Sequence, residues 1–316
     1  MAADRIFSNW DDTHSALWGH APIRLAHNMH KSPLFSMDHL AKLIEHYPRE
    51  HYSLMQTGVK DGKRIWRQGD IGNFSGHQVI DAISRGDLWL NLRLVSDIDR
   101  RYHDILGQMF AEIGEKVPHF ALPHQYEAGI LLSAPKAQVH FHSDLPGQSL
   151  IQIAGRKRVH IYPSSPPFVT PKNLEDIQLF ELELDMPYHE WYDRYATVLD
   201  LEPGQMLNWP LNAPHRVDNL GTVNISMTVG YENEEIRRTR IVNLANGLLR
   251  NRFGYTPKSR ALKGPSFWGK AVMQKALRNS SWVKRERKAR NAIEFRLDHD
   301  HPEQLVDLSN ELSKAA

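Results

Sequence analysis

Length, composition and charge already exclude several classes of protein. The chain has 316 residues, 41% hydrophobic and 24% charged, with 18 histidines, no cysteine and a formal net charge of +2, which is ordinary usage for one large or two modest globular domains. The missing cysteine excludes disulfide scaffolds, thiolate zinc sites, iron–sulfur clusters and a cysteine nucleophile.

The first part of the chain, residues 1–118, is predicted to be mainly helical. Its N-terminus carries acidic residues and no apolar core of the kind found in signal peptides, and no apolar run in the chain is long enough to span a bilayer. Ser36 and Ser75 are predicted helix N-caps, and residues 97–114 have the spacing of a long amphipathic helix. Alternating leucines predict a strand at 88–94. We expect a soluble, cytoplasmic protein with no membrane span.

The middle part, residues 119–232, is rich in short strand-like segments separated by Gly and Pro. They lie at 128–133, 137–144, 149–154, 157–162, 197–201, 205–209 and 222–231. A long excursion at 164–196, rich in Pro, acids and aromatics, interrupts them. Many short strands punctuated by turns predict a sandwich or barrel.

The last part, residues 233–316, returns to helical spacing. The predicted helices lie at 234–249, 266–279, 282–295 and 302–312. The net charge hides an uneven distribution, because residues 236–290 carry +15, residues 1–235 carry −9 and residues 291–316 carry −4. The basic segment either docks on the acidic body or on an acidic partner subunit, or forms a surface for nucleic acid, anionic lipid or an acidic substrate. A homodimer through the C-terminal helices is a further alternative.

The stretch from Val139 to Pro163 carries the residues with the most specific chemistry. On a strand, His142 and Asp144 point to the same face, and a neutral imidazole with a carboxylate supplies two of the three ligands of a facial iron site. An isolated His-x-Asp occurs about once by chance at this composition. His215, which follows a Pro-Gly turn, a short strand and a proline-bracketed loop, is the candidate third ligand.

Two further residues are predicted to lie around this site. Lys157 alternates with Arg156 and Arg158, so an inward Lys157 fits a bound dicarboxylate, while an exposed hairpin lysine is the plainer alternative. His140 is interpreted as lining the cavity, with a ligand role as the alternative. For the candidate ligands there are structural alternatives as well. His142 and Asp144 could form a hydrogen-bonded pair in the core, and His215 could cap a turn.

These motifs resemble the cupin-like branch of the Jumonji-C family of Fe(II)/2-oxoglutarate oxygenases. The matching pieces, in order, are His142-Ser-Asp144, Gln148 to Gln152, Gly155-Arg-Lys157-Arg158 ending at Tyr162-Pro163, and Pro203-Gly204-Gln205 closing at His215. The resemblance covers about residues 120–232. It implies a mainly β core with flanking helices in which the strands form a double-stranded β-helix, or jelly-roll, barrel. The implied domains are a helical region at 1–118, the core at 119–232 and a helical region at 233–316.

The resemblance also implies the roles of individual residues. His142, Asp144 and His215 would bind Fe(II), and Lys157 would hold the far carboxylate of 2-oxoglutarate, with O2 as the other cosubstrate. Val139 stands where many relatives have a cosubstrate-binding Thr. Gln148, Gln205 and Pro214 also depart from the family pattern. The second anchor for 2-oxoglutarate is therefore open, with Thr228, Ser226, Ser133 and Tyr126 as candidates and Thr228 as our choice. Gln148 and Trp209, with His140, are predicted to line the substrate site.

The function implied is hydroxylation of a protein side chain, a small molecule or a nucleic acid. Asp144 favours hydroxylation, because halogenases of the wider superfamily replace this carboxylate with a small residue. Two alternatives stand beside it. One is an inactive cupin-like binding or regulatory module, and the other is a metal-dependent cupin enzyme that uses no cosubstrate.

Overall fold

The computed structural model describes residues 5–60, 63–180, 186–288, 293–298 and 305–308. Nine α-helices lie within these ranges. They are α1 (Asp12–Leu17), α2 (Met37–Glu45), α3 (Gly76–Arg85), α4 (Val95–Ile98), α5 (Arg100–Lys116), α6 (Pro171–Phe180), α7 (Glu234–Phe253), α8 (Gly264–Leu277) and α9 (Ser281–Lys288). None of the helices in the described ranges combines the length and the apolar character needed to cross a membrane.

The described strands form two sheets. They are β1 (Ile23–Ala26), β2 (Tyr52–Lys60), β3 (Lys63–Asp70), β4 (Leu88–Leu92), β5 (Gln125–Ser133), β6 (Gln138–His142), β7 (Gly147–Ala154), β8 (Lys157–Ile161), β9 (Thr197–Leu201), β10 (Gln205–Asn208), β11 (His215–Asn219), β12 (Asn224–Glu232), β13 (Phe295–Leu297) and β14 (Leu305–Asp307). The large sheet has ten strands in the order β1-β10-β7-β12-β5-β4-β2-β3-β13-β14, and the small sheet has the order β6-β11-β8-β9. The prediction of a mainly β core with flanking helices is confirmed.

The two sheets pack face to face. Leu150 and Leu207 of the large sheet share one buried cluster with Val159 and Val217 of the small sheet. On β12 the other set of alternating residues, such as Met227, packs instead with the N-terminal helices in the largest cluster. Because residues two apart on a strand share a face, the large sheet has an inner face toward the small sheet and an outer face toward these helices.

Local signals account for the N-terminal helices. Ser36 and Ser75 accept hydrogen bonds from the backbone N–H groups of His39 and Gln78, as expected of N-caps. The long helix begins at Arg100, after the N-cap Asp99. This region also contributes β1, β2 and β3 to the large sheet, strands that the helical spacing did not predict.

The excursion at 164–196 packs on the outer side of the small sheet and contains α6. Its aromatic residues Phe168 and Tyr192 share a buried cluster with Phe141 of β6. Asp193 accepts hydrogen bonds from Tyr162 Oη at 2.6 Å and from Arg216 Nη2 at 2.8 Å, which ties the excursion to β8 and β11. The strand that carries His215 is thereby supported from behind.

Two predictions for the C-terminal region are wrong in part. Phe295 and residues 305–307, predicted as helix, lie in β13 and β14, and Leu308 lies in a turn. The rest of the predicted 302–312 helix lies outside the described residues. The cause is a distant contact, because Phe295 is fully buried and a Cβ on Gly69 would lie 2.3 Å from its ring. Only a glycine on β3 admits that ring, and helical periodicity carries no sign of it.

The packing of α6 on α7 rests on a buried carboxylate, which gives a stability prediction. Glu175 is 1% exposed and accepts hydrogen bonds from Arg250 Nε at 2.9 Å and from Arg260 Nη1 at 2.7 Å. Removing the charge in Glu175→Gln leaves two arginines facing a neutral amide. Since both arginines are partly exposed, we expect a loss of about 2–3 kcal/mol of unfolding free energy, less than for a fully buried pair.

Denaturant unfolding measures this loss. Glu190→Gln is the matched control, since Glu190 is exposed on the excursion, and its expected change is below about 0.5 kcal/mol. Equal stability of Glu175→Gln and wild type would contradict this account of the α6–α7 contact.

Candidate metal centre

Three of the predicted residues meet at one end of the interface between the sheets. His142 ends β6, His215 begins β11, and these two residues are directly paired across the strands. His215 Nε2 lies 3.4 Å from Asp144 Oδ2, and His142 Nε2 lies 3.9 Å from Asp144 Oδ1. One ligand atom from each residue lies within 4.8 Å of the others, the only such group of three or more in the described chain.

Backbone carbonyls orient both imidazoles so that the Nε2 atom of each ring faces Asp144. His142 Nδ1 lies 2.8 Å from the carbonyl oxygen of His140, and His215 Nδ1 lies 3.2 Å from that of Ala213. A carbonyl can only accept, so each Nδ1 carries the proton and each Nε2 keeps a free lone pair. This is the arrangement in which a hydrogen bond on one ring nitrogen orients the other for a metal ion.

His215 is held in the neutral form that a metal ligand needs. Its side chain is 5% exposed, and its ring centroid lies 4.7 Å from that of the buried Trp209. The pKa of His215 is lowered to about 4, mainly by burial and to a smaller extent by the neighbouring His142. Asp144, at 25% exposed, leaves the trio accessible from one side. The two imidazoles and one carboxylate therefore fit the donor set of a non-haem iron site.

A short loop aligns the two halves of the trio. Asn212 donates from Nδ2 to the backbone carbonyl of Asp144 at 2.7 Å, and Ser143 Oγ donates to the carbonyl of Asn212 at 2.9 Å. Asn212 adopts a left-handed φ of 59°, which Asn tolerates better than most residues. Sequence reasoning missed Asn212, although an Asn inside a proline-bracketed loop is a usable signal for such a turn.

The Asn212 link gives a second prediction. Asn212→Ala removes the hydrogen bond and leaves a residue that tolerates the left-handed conformation less well than Asn, so we expect about 1–2 kcal/mol less stability and about tenfold weaker metal binding. Asn212→Gly removes the same hydrogen bond and leaves the backbone relaxed, so its metal affinity should fall equally with a smaller loss of stability. Calorimetric titration with Mn²⁺ and thermal unfolding measure the two effects. Wild-type metal affinity in both variants would contradict the positioning role.

Lys157 lies deeper in the same interior. It pairs with Asn219 on β11, four residues along the strand from His215 and therefore on the same face, about 13 Å away along the strand. Its side chain is 3% exposed, and within the part of the chain that the structure describes it forms no hydrogen bond or ion pair. Burial lowers the pKa of Lys157 to about 8. A buried amine without an acidic partner is costly, which indicates a site for an anion.

The remaining predicted residues lie around the trio with different contacts. Thr228 and Gln148 share the inner face of the large sheet, because each alternates with outer-face residues, and Thr228 Oγ1 donates to the carbonyl of Gly129 at 3.3 Å. His140 supplies the carbonyl that orients His142. The ring of Trp209 is tilted by 50° against that of His215 and is 6% exposed, so it packs against a candidate ligand.

Two residues on the inner face were not found from the sequence. A Cβ on Gly129 would lie 2.7 Å from Asn91 Oδ1 and 3.1 Å from Thr228 Oγ1, so only a glycine leaves room there. Asn91 Oδ1 is buried and lacks a hydrogen-bond partner among the described residues. The pairing register of β4, β5 and β12 brings these residues together, and no local pattern in the sequence indicates that register.

Comparison with known proteins supports the fold. No protein-family model matches the chain, and no curated protein sequence matches it. Among solved structures, YcfD from Escherichia coli aligns with a TM-score of 0.50 at 18% identity over 89% of this chain and 71% of that one. The chain shares the fold of YcfD. A second YcfD structure, described as a ribosomal oxygenase in complex with cobalt and succinic acid, aligns with a TM-score of 0.50 at 17% identity over 89% and 70%. These matches bear out, at the level of the fold, the resemblance read from the motifs.

Proposed function

We propose that this protein is an Fe(II)- and 2-oxoglutarate-dependent oxygenase that hydroxylates its substrate. The observation that carries the proposal is one interior containing both an oriented His-Asp-His trio and a buried lysine with no acidic partner among the described residues. The trio suits a divalent iron and the lysine suits a carboxylate tail. The trio alone or the lysine alone could serve only to stabilise the fold. Because both lie on the same face of the sheet, they favour a site for a ligand that contacts both.

The strand order supports the finer fold assignment within this proposal. From β5 onward the chain moves between the large and small sheets, so that β5, β7, β10 and β12 lie in one and β6, β8, β9 and β11 in the other. Two facing sheets in which such strands interleave are typical of a double-stranded β-helix. We assign this jelly-roll core to 119–232, with 1–118 and 233–316 as the flanking regions.

The residues divide the chemistry among them. His142, Asp144 and His215 would hold the metal through one ligand atom each. Lys157 would pair with the distal carboxylate of 2-oxoglutarate, and Thr228 is the candidate for a second contact to it. Bound Fe(II) would supply the oxygen activation that couples oxidation of 2-oxoglutarate to succinate with hydroxylation. Trp209 keeps water from the buried side of His215.

The solved neighbour adds support from its ligands. The YcfD complex contains cobalt and succinic acid, and succinate is the product expected from 2-oxoglutarate. By analogy we propose that this chain takes Fe(II), 2-oxoglutarate and O2. We also propose a cytoplasmic location, where Fe(II) stays reduced.

The test is formation of succinate by the purified protein supplied with Fe(II), 2-oxoglutarate and air. We expect succinate above the level of an iron-free sample and of a sample in which Zn²⁺ replaces iron. Equal succinate in all three samples would contradict the proposal.

One observation favours a second candidate, an inactive binding module. Val139 packs against the buried cluster between the sheets, at the position where the resemblance expects a cosubstrate-binding hydroxyl. Such a module would bind metal or 2-oxoglutarate without forming succinate. Binding without turnover in the assay above identifies it, and succinate formation excludes it.

A further inference from the structure

The lysines and arginines of the basic segment divide into two groups that do different things. The segment from Ile236 to Arg285 contains no acidic residue. One group of its cations turns inward and fastens the loop between α7 and α8, and the other points to solvent. Contacts within the fold therefore involve only some of the positive charges of the segment.

The inward group makes the loop an ordered structure. Arg260 reaches Glu175 at 2.7 Å, and Arg238 Nη1 donates to the carbonyl of Leu262 at 3.1 Å. Asn246 and Lys270 both donate to the carbonyl of Ser259. These contacts run from the C-terminal half of α7 back toward its N-terminal end. The loop is therefore held against α7 at several points along the helix, so its outward side chains keep fixed positions.

The outward group lies among exposed aromatic rings. Phe253 is 59% exposed, Tyr255 55% and Trp268 61%, values unusual for large apolar side chains. Arg252, Lys258 and Lys263 are exposed in the same stretch of chain, and none of the three has an acidic partner among the described residues. We call these six residues the basic–aromatic strip. It follows one continuous stretch of chain from the end of α7 to the first turn of α8.

We propose that the basic–aromatic strip binds single-stranded nucleic acid, a surface separate from the proposed metal site. Exposed rings and exposed cations are the two components of a site that stacks bases and follows a phosphate backbone without reading sequence. The three cations supply charge complementarity to the phosphates. An acidic polypeptide would satisfy the cations and leave three exposed rings unexplained, which is why nucleic acid is the better fit.

Fluorescence anisotropy with a labelled 15-nucleotide oligouridylate tests this on the full chain without metal or 2-oxoglutarate. Three phosphate contacts predict a salt slope of about −2, so affinity should fall about 20-fold between 50 and 200 mM salt. Phe253→Ala/Tyr255→Ala keeps every charge and should weaken binding at least about 25-fold with the slope unchanged. Arg252→Gln/Lys258→Gln/Lys263→Gln should bring the slope close to zero.

The control variant carries the same charge change elsewhere. Lys31, Lys42 and Lys136 are exposed and distant in sequence, so replacing all three with Gln should leave the slope unchanged if the strip binds the strand. All changed positions are exposed, and thermal unfolding should match wild type for each variant. Because the assay needs no metal, failure of the proposed oxygenase activity does not alter its outcome.

Several results would overturn the proposal. No binding at 50 mM salt, or wild-type affinity in the ring variant, removes the strip as a nucleic-acid site. Polyglutamate or anionic vesicles binding as tightly and with the same dependence on Phe253 and Tyr255 would replace nucleic acid with another partner. A wild-type dimer that the ring variant converts to a monomer, seen by light scattering, would assign the strip to a second copy of the chain.

Discussion

Replacing Asp144 with Ala is expected to abolish both metal binding and succinate formation. The variant removes the only carboxylate of the trio and leaves two neutral imidazoles, which hold a divalent ion through two bonds only. Metal affinity should fall by more than about 100-fold, beyond the range seen for residues that merely orient ligands. Calorimetric titration with Mn²⁺ and a succinate assay measure the two losses.

The matched control for this prediction is Asp200→Ala. Asp200 lies on β9 of the same sheet, on the outward side, and accepts hydrogen bonds from Arg158 at 2.7 and 2.9 Å. Its loss should leave metal affinity and succinate formation within about twofold of wild type, because an exposed ion pair contributes little. Wild-type succinate formation by Asp144→Ala would remove that carboxylate from the metal site.

Lys157→Met is expected to destroy 2-oxoglutarate binding while making the protein more stable. Burial lowers the pKa of Lys157 from 10.5 to about 8, so keeping this amine protonated at neutral pH costs about 3 kcal/mol. Met fills the same space without that cost, so the thermal midpoint should rise by about 2–5 °C. The dissociation constant for 2-oxoglutarate, measured with Mn²⁺ bound, should rise at least about 100-fold.

The same residue sets the pH dependence of 2-oxoglutarate binding. The carboxylate binds the protonated amine, which predominates below pH 8 in the ligand-free protein. Affinity should therefore be constant near pH 7 and fall about tenfold per pH unit above 8. Lys157→Met should show no such dependence, and the outward-facing neighbour Arg158→Gln should keep the wild-type profile. A flat profile in wild type, or undiminished binding by Lys157→Met, would place the carboxylate elsewhere.

The core strands and the meeting of His142, Asp144 and His215 could be predicted from the sequence because their signals are local or carried by the resemblance. Alternation around His142 and around Lys157 indicated which side chains point inward, and the structure places both toward the interior. The N-caps Ser36 and Ser75 were likewise readable, since each needs only a hydroxyl before a helical pattern.

What could not be predicted depends on contacts between distant parts of the chain. β2 and β3 were missed, although Asp61-Gly62 between two alternating runs is a hairpin signal in the sequence. Phe295 follows a helical pattern but lies in a strand, because its ring packs in the space above Gly69. The pairing of basic residues was also hidden, because the acidic partners of Arg260 and Arg240 lie outside the basic segment, at Glu175 and Glu232.

The central claim is that one interior binds Fe(II) and 2-oxoglutarate together, and anaerobic absorption spectroscopy tests it most directly. Adding Fe(II) to the protein with 2-oxoglutarate should produce the visible charge-transfer band of iron chelated by a 2-oxo acid. The band should be absent with succinate in place of 2-oxoglutarate and in Asp144→Ala. A wild-type protein that binds both components and shows no band would contradict the claim.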